Sequence, residues 1–447
     1  MAGIPHVSDP LKKDRLQLIS LVALIGFLFA VVVYYGQAIY RGVLFPHNTF
    51  LFDPTDRFAD FFNIITVVRH LDPYYETAGM FGNYFPFAYV FMYPFSLIPA
   101  SWHPFYWFAG LAAGLFVLWL SYYFLLRQVH TRKLDLFTWF PVVILLMSYP
   151  VLITLDRGNL ELYVFGCCAL FLLLFQKKKY LAASISLSLA IAMKLYPAVF
   201  LIFLLSERKY RQCFVVCLSA IVLSVGALLL FPGTIISNIE GLQLGLKWYN
   251  ANYLEFINSS LDIMSSAPRA VFEEMRRFSA YPNFVLDGIN YNGSYFSVLR
   301  AARLLGYLKI SLEWLLTPYL IGTVVVFGAV SGYVIWFEKE RWKKIALLVA
   351  SMILLPYISA DYKLIHLFLP LVLFAGTPTR SRFDTVYAVL FGLLLIPKTY
   401  FTTLQGINLN SLLNIVLMTA LCGLIIYDRF VPSGHAAVAS AADEVSP

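Results

Sequence analysis

Ionisable side chains near the ends of apolar segments are the residues of this chain that could do chemistry. They are Asp60, Asp156, Arg157, Glu161, Lys194, Asp361, Lys363 and His366. Such groups are costly in or near lipid, so they usually mark a functional site. A carboxylate can accept a proton from a hydroxyl, and a cation can hold a phosphate. Together these residue types suit a reaction on a lipid-linked phosphate in a cavity between helices.

The composition indicates that membrane helices position these residues. Of the 447 residues, 60 % are hydrophobic and 13 % are charged, and the mean hydropathy is +0.74. A soluble domain carries about 25 % charged residues, so this chain cannot build a water-facing shell. The composition excludes a soluble globular protein, a disordered chain and a nucleic-acid binder with a basic surface. It predicts an all-α polytopic integral membrane protein.

The apolar runs predict 11–13 transmembrane or re-entrant helices, some of them incomplete. The arms 180–193 and 196–206 rise only about 21 and 17 Å, whereas the hydrocarbon core is about 30 Å thick. We therefore predict a shallow hairpin whose arms meet at 194–197. The run 84–99, which prolines interrupt, is predicted to be a short or re-entrant helix.

The basic residues predict the orientation of the chain. Seven clusters hold 19 of the 33 Lys and Arg residues: 12–15, 127–133, 177–179, 208–211, 339–344, 380–382 and Arg429. Because cytoplasmic loops carry an excess of Lys and Arg, we expect both termini to be cytoplasmic and the site residues to face outside. The chain then divides into a cytoplasmic N-terminus (1–16), a transmembrane module (17–231) with a first outer loop (40–83), a long outer loop (232–312), C-terminal transmembrane helices (313–430) and a disordered cytoplasmic tail (431–447).

The first outer loop is predicted to contain an amphipathic helix on the outer membrane surface. Asp53 is the expected N-cap, with Pro54 and Asp56 at the first and third positions. Apolar residues then recur at helical spacing: Phe58, Phe61, Phe62, Ile65 and Val68. Asp60 is expected in mid-helix, where Asp is a poor helix former and no cap is needed, so this position favours a functional role.

The order of several motifs resembles the GT-C superfamily of polyprenyl-phosphate-sugar-dependent glycosyltransferases, in its mannosyltransferase-like, family 87-like branch. Four blocks carry the resemblance: Asp60-Phe-Phe-Asn63 with Leu71-Asp-Pro-Tyr74; Tyr84-Phe-Pro-Phe87 to Leu97-Ile-Pro99; Gly158-Asn159 to Lys194-Leu-Tyr-Pro197 and Arg208; and Pro356-Tyr-Ile-Ser-Ala-Asp-Tyr-Lys363 with His366 and Pro370. A weaker fifth block runs from Asn292-Gly-Ser294 to Arg300 and Arg303.

The resemblance implies a GT-C-like fold and an inverting sugar transfer on the outer, periplasmic face of a bacterial inner membrane. Asp60 matches the catalytic aspartate of the family and is the expected general base, with His366 assisting from the opposite wall by a hydrogen bond to the phosphate or to the acceptor. Lys194, Lys363 and Arg157 are expected to hold the donor phosphate. Further candidates for substrate binding are Asp361, Tyr84, Asn159, Tyr196 and Arg300.

The expected partners are a sugar on undecaprenyl or decaprenyl phosphate, a lipid or glycan acceptor and the bilayer, with no nucleic acid. The resemblance implies that a nucleotide sugar is not used, and the chain agrees, since it has neither a Gly-rich phosphate loop nor a cytosolic domain that could hold a nucleotide. No cofactor is expected. A divalent metal stays open because Asp53, Asp56 and Asp60 are close in sequence, although no His/Cys cluster has ligand spacing.

Other interpretations remain at this stage. A polysaccharide polymerase or ligase that uses lipid-linked glycans would carry an arginine-rich outer loop, and Arg269, Arg276 and Arg277 keep that alternative open. A transporter of lipid-linked sugars would also bury charges, but the sequence has no repeat of the transporter kind. Arg157 could pair with its neighbour Asp156, and His366 could be a structural histidine.

Overall fold

The structure is a computed structural model that describes residues 10–41, 58–70, 72–74, 82–125, 136–247, 292–304, 306–378, 381–398 and 409–430. Within these ranges the chain is built from helices, and the extended pairing is one isolated antiparallel bridge between Asn292 and Ala360. The predicted all-α membrane fold is confirmed. Asp53 and Asp56 of the first loop and Arg269, Arg276 and Arg277 of the long loop lie outside the described residues.

The helices follow one another with short connections. The first part of the chain contains α1 (Pro10–Arg41), α2 (Ala59–Arg69), α3 (Pro86–Ser96), the 3₁₀ helix η1 (Ala100–Trp102), α4 (Pro104–Leu125), α5 (Leu136–Leu146), α6 (Tyr149–Arg157), α7 (Glu161–Gln176), α8 (Tyr180–Met193), the 3₁₀ helix η2 (Tyr196–Val199), α9 (Phe200–Ser206) and α10 (Tyr210–Leu228). A further helical segment at 235–247 precedes the long loop. The second part contains α11 (Tyr295–Leu304), α12 (Leu312–Trp336), α13 (Arg341–Leu354), the 3₁₀ helix η3 (Asp361–Leu367), α14 (Phe368–Gly376), α15 (Asp384–Leu395) and α16 (Leu409–Phe430).

Full and incomplete spans occur together. Among the described residues, five helices are long and apolar enough to cross a membrane: Arg15–Val33, Pro104–Tyr122, Tyr210–Leu228, Trp314–Trp336 and Leu412–Phe430. A bent pair, Phe140–Leu146 with Tyr149–Arg157 at 45°, makes a sixth if it is one span. The run 84–99 forms only the 11-residue α3, and α8 is interrupted after Met193 before η2 begins, so the short helices predicted in both regions are confirmed.

The helices of the bundle pack against one another, and α13 lies at its centre. α7 packs against α8, α8 packs against α10, and α13 packs against α14. α13 is buried from Trp342 to its last residue, whereas α12 leaves most of its apolar surface exposed. α12 therefore has the surface of a helix that meets lipid, and the inner helices form the frame that holds the site.

The described basic clusters meet at one end of this bundle. Basic residues of one cluster form ion pairs with acidic residues beside another cluster. The pairs are Arg15 with Asp384, Lys343 with Asp428, and both Arg341 and Lys344 with Glu207. The turn that follows α7 lies at the same end, because the Arg341 guanidinium lies over the Phe175 ring at 5.7 Å. Since α7 has 16 residues at 1.5 Å per residue, its first residue, Glu161, is about 24 Å from this basic end.

The first outer helix differs from the sequence prediction in its start. α2 begins at Ala59, because Phe58 has a left-handed backbone (φ 61°) and donates its N–H to the Asp156 carbonyl oxygen at 2.7 Å. The prediction that Asp60 lies in mid-helix is therefore wrong: Asp60 is in the first turn. A carboxylate there is favoured by the helix dipole.

The apolar face of α2 also has a different neighbour from the predicted one. Phe61, Ile65 and Val68 are buried, and α2 packs against α3 and α6. The side chain that stays exposed is Phe62, at 50 %. The apolar face of α2 is thus covered by protein rather than by the membrane surface, and the helix is fixed to the bundle that it overlies.

Candidate active site

The Asp60 carboxylate is held by two side chains from the turn between α6 and α7. Arg157 Nη2 donates to Asp60 Oδ1 at 2.9 Å, and Asn159 Nδ2 donates to Asp60 Oδ2 at 2.6 Å. Arg157 therefore has Asp60 as an ion-pair partner, across 97 positions of the chain. Burial raises the pKa of Asp60 to about 6, although the hydrogen bond from Asn159 and the charge of Lys194 lower it. Asp60 is thus ionised at neutral pH with a pKa near that pH, which suits a general base.

Gly158 makes this arrangement possible by closing α6 with a left-handed residue at φ 62°. A Cβ at this position would lie 2.9 Å from Phe61 Cβ and 3.0 Å from Phe105 Cε2. Only glycine adopts this conformation freely and leaves room for α2 to approach. The turn therefore directs Arg157 and Asn159, on either side of Gly158, toward Asp60.

Asn159 connects Asp60 to the next charged group, Lys194. The Asn159 amide oxygen accepts from Lys194 Nζ at 2.7 Å and from the Glu161 backbone N–H at 3.0 Å. The side chain is fully buried, and both ends of its amide are bonded. Asn159 therefore fixes the position of Asp60 relative to Lys194 rather than standing free for a substrate.

Lys194 lies where the predicted break between two short helices occurs. Its backbone is extended (φ −148°, ψ 133°), so the chain leaves the helical path after α8. Lys194 Nζ lies 2.8 Å from Glu161 Oε2, and it also lies 4.9 Å from the ring centroid of Tyr362 and 5.7 Å from that of Tyr84. The rings stabilise the ammonium through cation–π attraction, so Tyr84 supports this cation directly.

Glu161 is the central group of the site, although its sequence context assigned it no role. Glu161 Oε1 accepts a hydrogen bond from the Tyr196 hydroxyl and lies 2.8 Å from His366 Nε2, while Oε2 binds Lys194. Tyr196 and His366 are themselves 3.3 Å apart. The available sequence signal was a carboxylate at the first position of an apolar run, where burial without a partner is costly.

Lys363 stands apart because its ammonium has no ion-pair or hydrogen-bond partner among the described residues. The residue is 9 % exposed, and its Nζ lies 4.8 Å above the ring centroid of Tyr196. Asp60 is paired with Arg157, and Glu161 is paired with Lys194. In the cluster formed by Asp60, Arg157, Glu161, Lys194 and Lys363, the Lys363 ammonium is therefore the charge that has no carboxylate partner.

The remaining candidates lie in the frame around η3. The Tyr149 hydroxyl donates to Asp361 Oδ2 at 2.8 Å, which ties η3 to α6. Arg300 is fully buried in α11, which packs on α12 and α16. Asn292 Oδ1 accepts from the Ser359 N–H at 3.1 Å, so the fifth block of the sequence holds the fourth. Tyr149 had no predicted role, and nothing in its local sequence distinguishes it from other tyrosines.

The metal possibility concerns the carboxylates of the first outer loop. Among the residues that the structure describes, no group of three or more His, Cys, Asp or Glu side chains could hold a metal ion. Asp60 itself is occupied by Arg157 and Asn159. The chemistry that these described residues offer is proton acceptance at Asp60 and charge stabilisation at the lysines.

The fold and the site together define a class. The described part of the chain is an all-α membrane bundle, which is consistent with a GT-C-like fold. Residues 83–359 match the model of Glycosyltransferase family 87. This match covers more than half of the 447 residues, so the chain belongs to glycosyltransferase family 87 and is a membrane glycosyltransferase. No curated protein and no solved structure matches the chain.

The family match covers some residues of the candidate site and leaves others outside its bounds. It includes Arg157, Asn159, Glu161, Lys194 and Tyr196 and so covers most of the connected network. Asp60 precedes it, and Lys363 and His366 follow it. The participation of these flanking residues is thus argued from their contacts with the matched core, which are hydrogen bonds, an ion pair and a cation–π contact.

Proposed function

We propose that this enzyme moves one sugar from a polyprenyl-phosphate-linked donor to a hydroxyl of a lipid or glycan acceptor on the outer face of the membrane, with inversion at the sugar. Asp60 is the general base. Lys363 and Lys194 hold the donor phosphate. The single observation that carries the proposal is the unpaired buried ammonium of Lys363, in the same cluster as the part-buried carboxylate of Asp60, whose pKa is near neutrality.

The residues present match each part of the reaction. The acceptor oxygen forms a bond to the anomeric carbon, and its proton passes to Asp60. The bond from the anomeric carbon to the phosphate oxygen breaks, and its electron pair stays on the phosphate. The phosphate thus changes from one negative charge to two. Cations fixed in a site with little water stabilise this added charge more in the transition state than in the ground state.

The charge of the cluster favours a monophosphate-linked donor. Asp60 and Glu161 are each paired to a cation, so the Lys363 ammonium is left to face the single negative charge of a polyprenyl-phosphate sugar. A nucleotide diphosphate sugar carries two negative charges. Its charge would exceed that of the monophosphate donor both before and after the bond breaks, with the same described cations to balance it.

The distribution of basic residues supports a site on the outer face. The described clusters lie at the end of the bundle opposite Glu161 and Asp60. By the positive-inside rule, that basic end is cytoplasmic. An acceptor would then reach Asp60 from the outer leaflet or from the aqueous phase outside.

The proposal is tested with purified enzyme in lipid nanodiscs. The enzyme is given one radiolabelled sugar, either on polyprenyl phosphate or on a nucleotide diphosphate, together with a membrane lipid extract. We expect one sugar per acceptor, transferred from the polyprenyl donor. Transfer from the nucleotide sugar alone, repeated extension of a glycan, or, in proteoliposomes, movement of the donor across the bilayer without chemistry would each contradict the proposal.

Lys363→Met gives a residue-level test of the donor phosphate site. The variant keeps a long side chain beside Tyr196 but removes the charge that the leaving phosphate needs. We expect kcat to fall by about 10²–10³-fold, more than KM for the donor rises. Lys343→Met is the matched control, since Lys343 is a buried lysine at the opposite end of the bundle. A change confined to KM, or an equal loss in the control, would contradict the role.

A further inference from the structure

Glu161 is a buried carboxylate with more partners than a single ion pair needs. Its side chain is fully buried, and Lys194, Tyr196 and His366 share its two oxygens. Its backbone N–H is bonded to Asn159 Oδ1, which also binds Lys194. The Glu161 carboxylate therefore contacts Lys194 on one side and His366 of η3 on the other. His366 lies 205 positions further along the chain.

Stability alone is a poor explanation for this arrangement. The free energy needed to remove two charges from water can equal or exceed the free energy gained from their attraction. Well-packed apolar residues often replace such pairs without loss of stability. A buried hydrogen-bond network, in contrast, holds its members in one geometry. Both oxygens of Glu161 are already bonded to Lys194, Tyr196 and His366, so any effect on the reaction passes through these partners.

His366 shows which partner is left incomplete. A carboxylate only accepts hydrogen bonds, so the contact with Glu161 requires the proton of the His366 imidazole on Nε2. In a neutral ring the lone pair is then on Nδ1. That atom is fully buried and has no hydrogen-bond partner among the described residues. A buried acceptor without a partner is costly, so its position suits a group that arrives with a ligand.

We infer that Glu161 is a positioning residue that holds the Lys194 ammonium toward the donor phosphate and fixes the His366 tautomer whose Nδ1 accepts a hydrogen bond from a substrate hydroxyl. This inference rests on the proposed function for the identity of the phosphate and of the hydroxyl. The inference gives the lysines and the histidine different roles. The lysines bind the phosphate, and His366 accepts a hydrogen bond from a hydroxyl of the sugar or of the acceptor. A phosphate oxygen is itself an acceptor and does not satisfy the Nδ1 lone pair.

The test is a double-mutant cycle of Glu161→Gln with His366→Gln. Glutamine keeps the size of Glu161 but can donate as well as accept, so it no longer determines the tautomer. We expect Glu161→Gln to lower kcat by about 10–100-fold, the range known for residues that orient metal ligands and so likewise act through a neighbour. In the His366→Gln background the same change is expected to cost less, because part of its effect passes through the histidine.

The control variant is Glu207→Gln. Glu207 is a largely buried glutamate paired with Arg341 and Lys344 at the basic end, so its loss reports on ion-pair removal alone. We expect it to lower thermal stability and to leave kcat of the folded enzyme unchanged. An equal fold-loss of kcat for Glu161→Gln in both backgrounds, or a kcat equal to that of the wild type, would overturn the inference.

A second variant keeps the inference testable if Glu161→Gln does not fold. Glu161→Gln with Lys194→Met removes both charges of the pair, so no unpaired buried charge remains. Its kcat is expected to be below that of Lys194→Met alone, because His366 is still misplaced. Equal kcat values would reduce Glu161 to a counter-ion and overturn the inference.

A spectroscopic measurement reads the tautomer directly. In enzyme labelled with ¹⁵N-histidine, the signals of His366 are assigned by their loss in His366→Gln. We expect an unprotonated Nδ1 in the wild type and a mixture of tautomers in Glu161→Gln. A protonated Nδ1 in the wild type would overturn the inference.

The double-mutant cycle uses whichever sugar donor supports turnover. Failure of the polyprenyl-phosphate donor therefore counts against the proposed function and leaves the test of Glu161 intact.

Discussion

Asp60 is surrounded by groups that act on its charge in opposite directions. Burial disfavours its ionised form, whereas Arg157 and Asn159 each donate a hydrogen bond to it. Burial is the larger effect, which brings the pKa of Asp60 to about 6. The carboxylate is therefore basic enough to accept a proton and still ionised under ordinary conditions.

The pH dependence of kcat/KM follows from that value. Because only the ionised form of Asp60 can accept the acceptor proton, activity should be lost as the pH falls through about 6. We expect log kcat/KM to rise with a slope of one below this pH and to level above it, as this quantity reports the free enzyme. Initial rates at subsaturating acceptor between pH 4.5 and 8 measure the profile. A flat profile across pH 6 would exclude Asp60 as the base.

At this scale the sequence indicated the participants but not their pairing. Asp60, Lys194, Lys363 and His366 stand out because charged groups are rare in apolar segments. Their contacts join residues such as Asp60 and Arg157, which are 97 positions apart, and no local pattern encodes such contacts. Glu161 was recognisable as an ionisable residue, but its role depends on three partners that only the fold brings together.

Among the helices, interruptions rather than continuous segments place the reactive groups. The turn at Gly158, the extended residue Lys194 and the 3₁₀ helix η3 each bring one part of the site to the same end of the bundle. The sequence predicted the break at Lys194 because the arms on either side are too short to span a bilayer. It could not predict the start of α2, which depends on a tertiary hydrogen bond between Phe58 and Asp156.

Gly158→Ala tests whether the turn sets the position of Asp60. The left-handed backbone costs a residue with a Cβ about 1–3 kcal/mol, and the new atom also meets Phe61 on α2. We expect lower thermal stability in detergent together with a lower kcat, because α2 carries Asp60. Gly114→Ala is the matched control, since nothing lies within 4 Å of its Cβ position in α4. Unchanged kcat in a folded Gly158→Ala enzyme would separate the turn from catalysis.

The whole molecule has two charged ends with different tasks. One end holds Asp60, Glu161 and the lysines, and the other holds the ion pairs of the basic clusters, about 24 Å away along α7. Composition and charge distribution predicted the class of protein and the grouping of the clusters, because both are properties of the chain as a whole. The structure adds that the basic clusters are tied to acidic residues rather than standing as isolated charges.

Lys343→Met tests this division of tasks. Lys343 is buried and paired with Asp428 at 2.8 Å, so its loss leaves a largely buried carboxylate without its cation, held only by hydrogen bonds from Ser381 and Tyr387. We expect a loss of stability of about 3–5 kcal/mol, seen as a lower midpoint of thermal unfolding in detergent. The folded fraction should transfer sugar at the wild-type rate. A large fall in kcat without unfolding would show that the two ends are coupled.

The most direct test of the account is the Asp60→Asn enzyme. Asparagine keeps the size and polarity of Asp60 but cannot accept a proton, so the variant should insert, fold and bind donor as the wild type does. Sugar transfer from the polyprenyl-phosphate donor is expected at no more than about one per cent of the wild-type rate, since general base catalysis contributes about 10²–10⁴-fold. Asp72→Asn is the control, because Asp72 caps the nearby turn at Tyr74. Donor binding with transfer reduced to this level is the predicted result, and transfer at the wild-type rate would contradict the central claim.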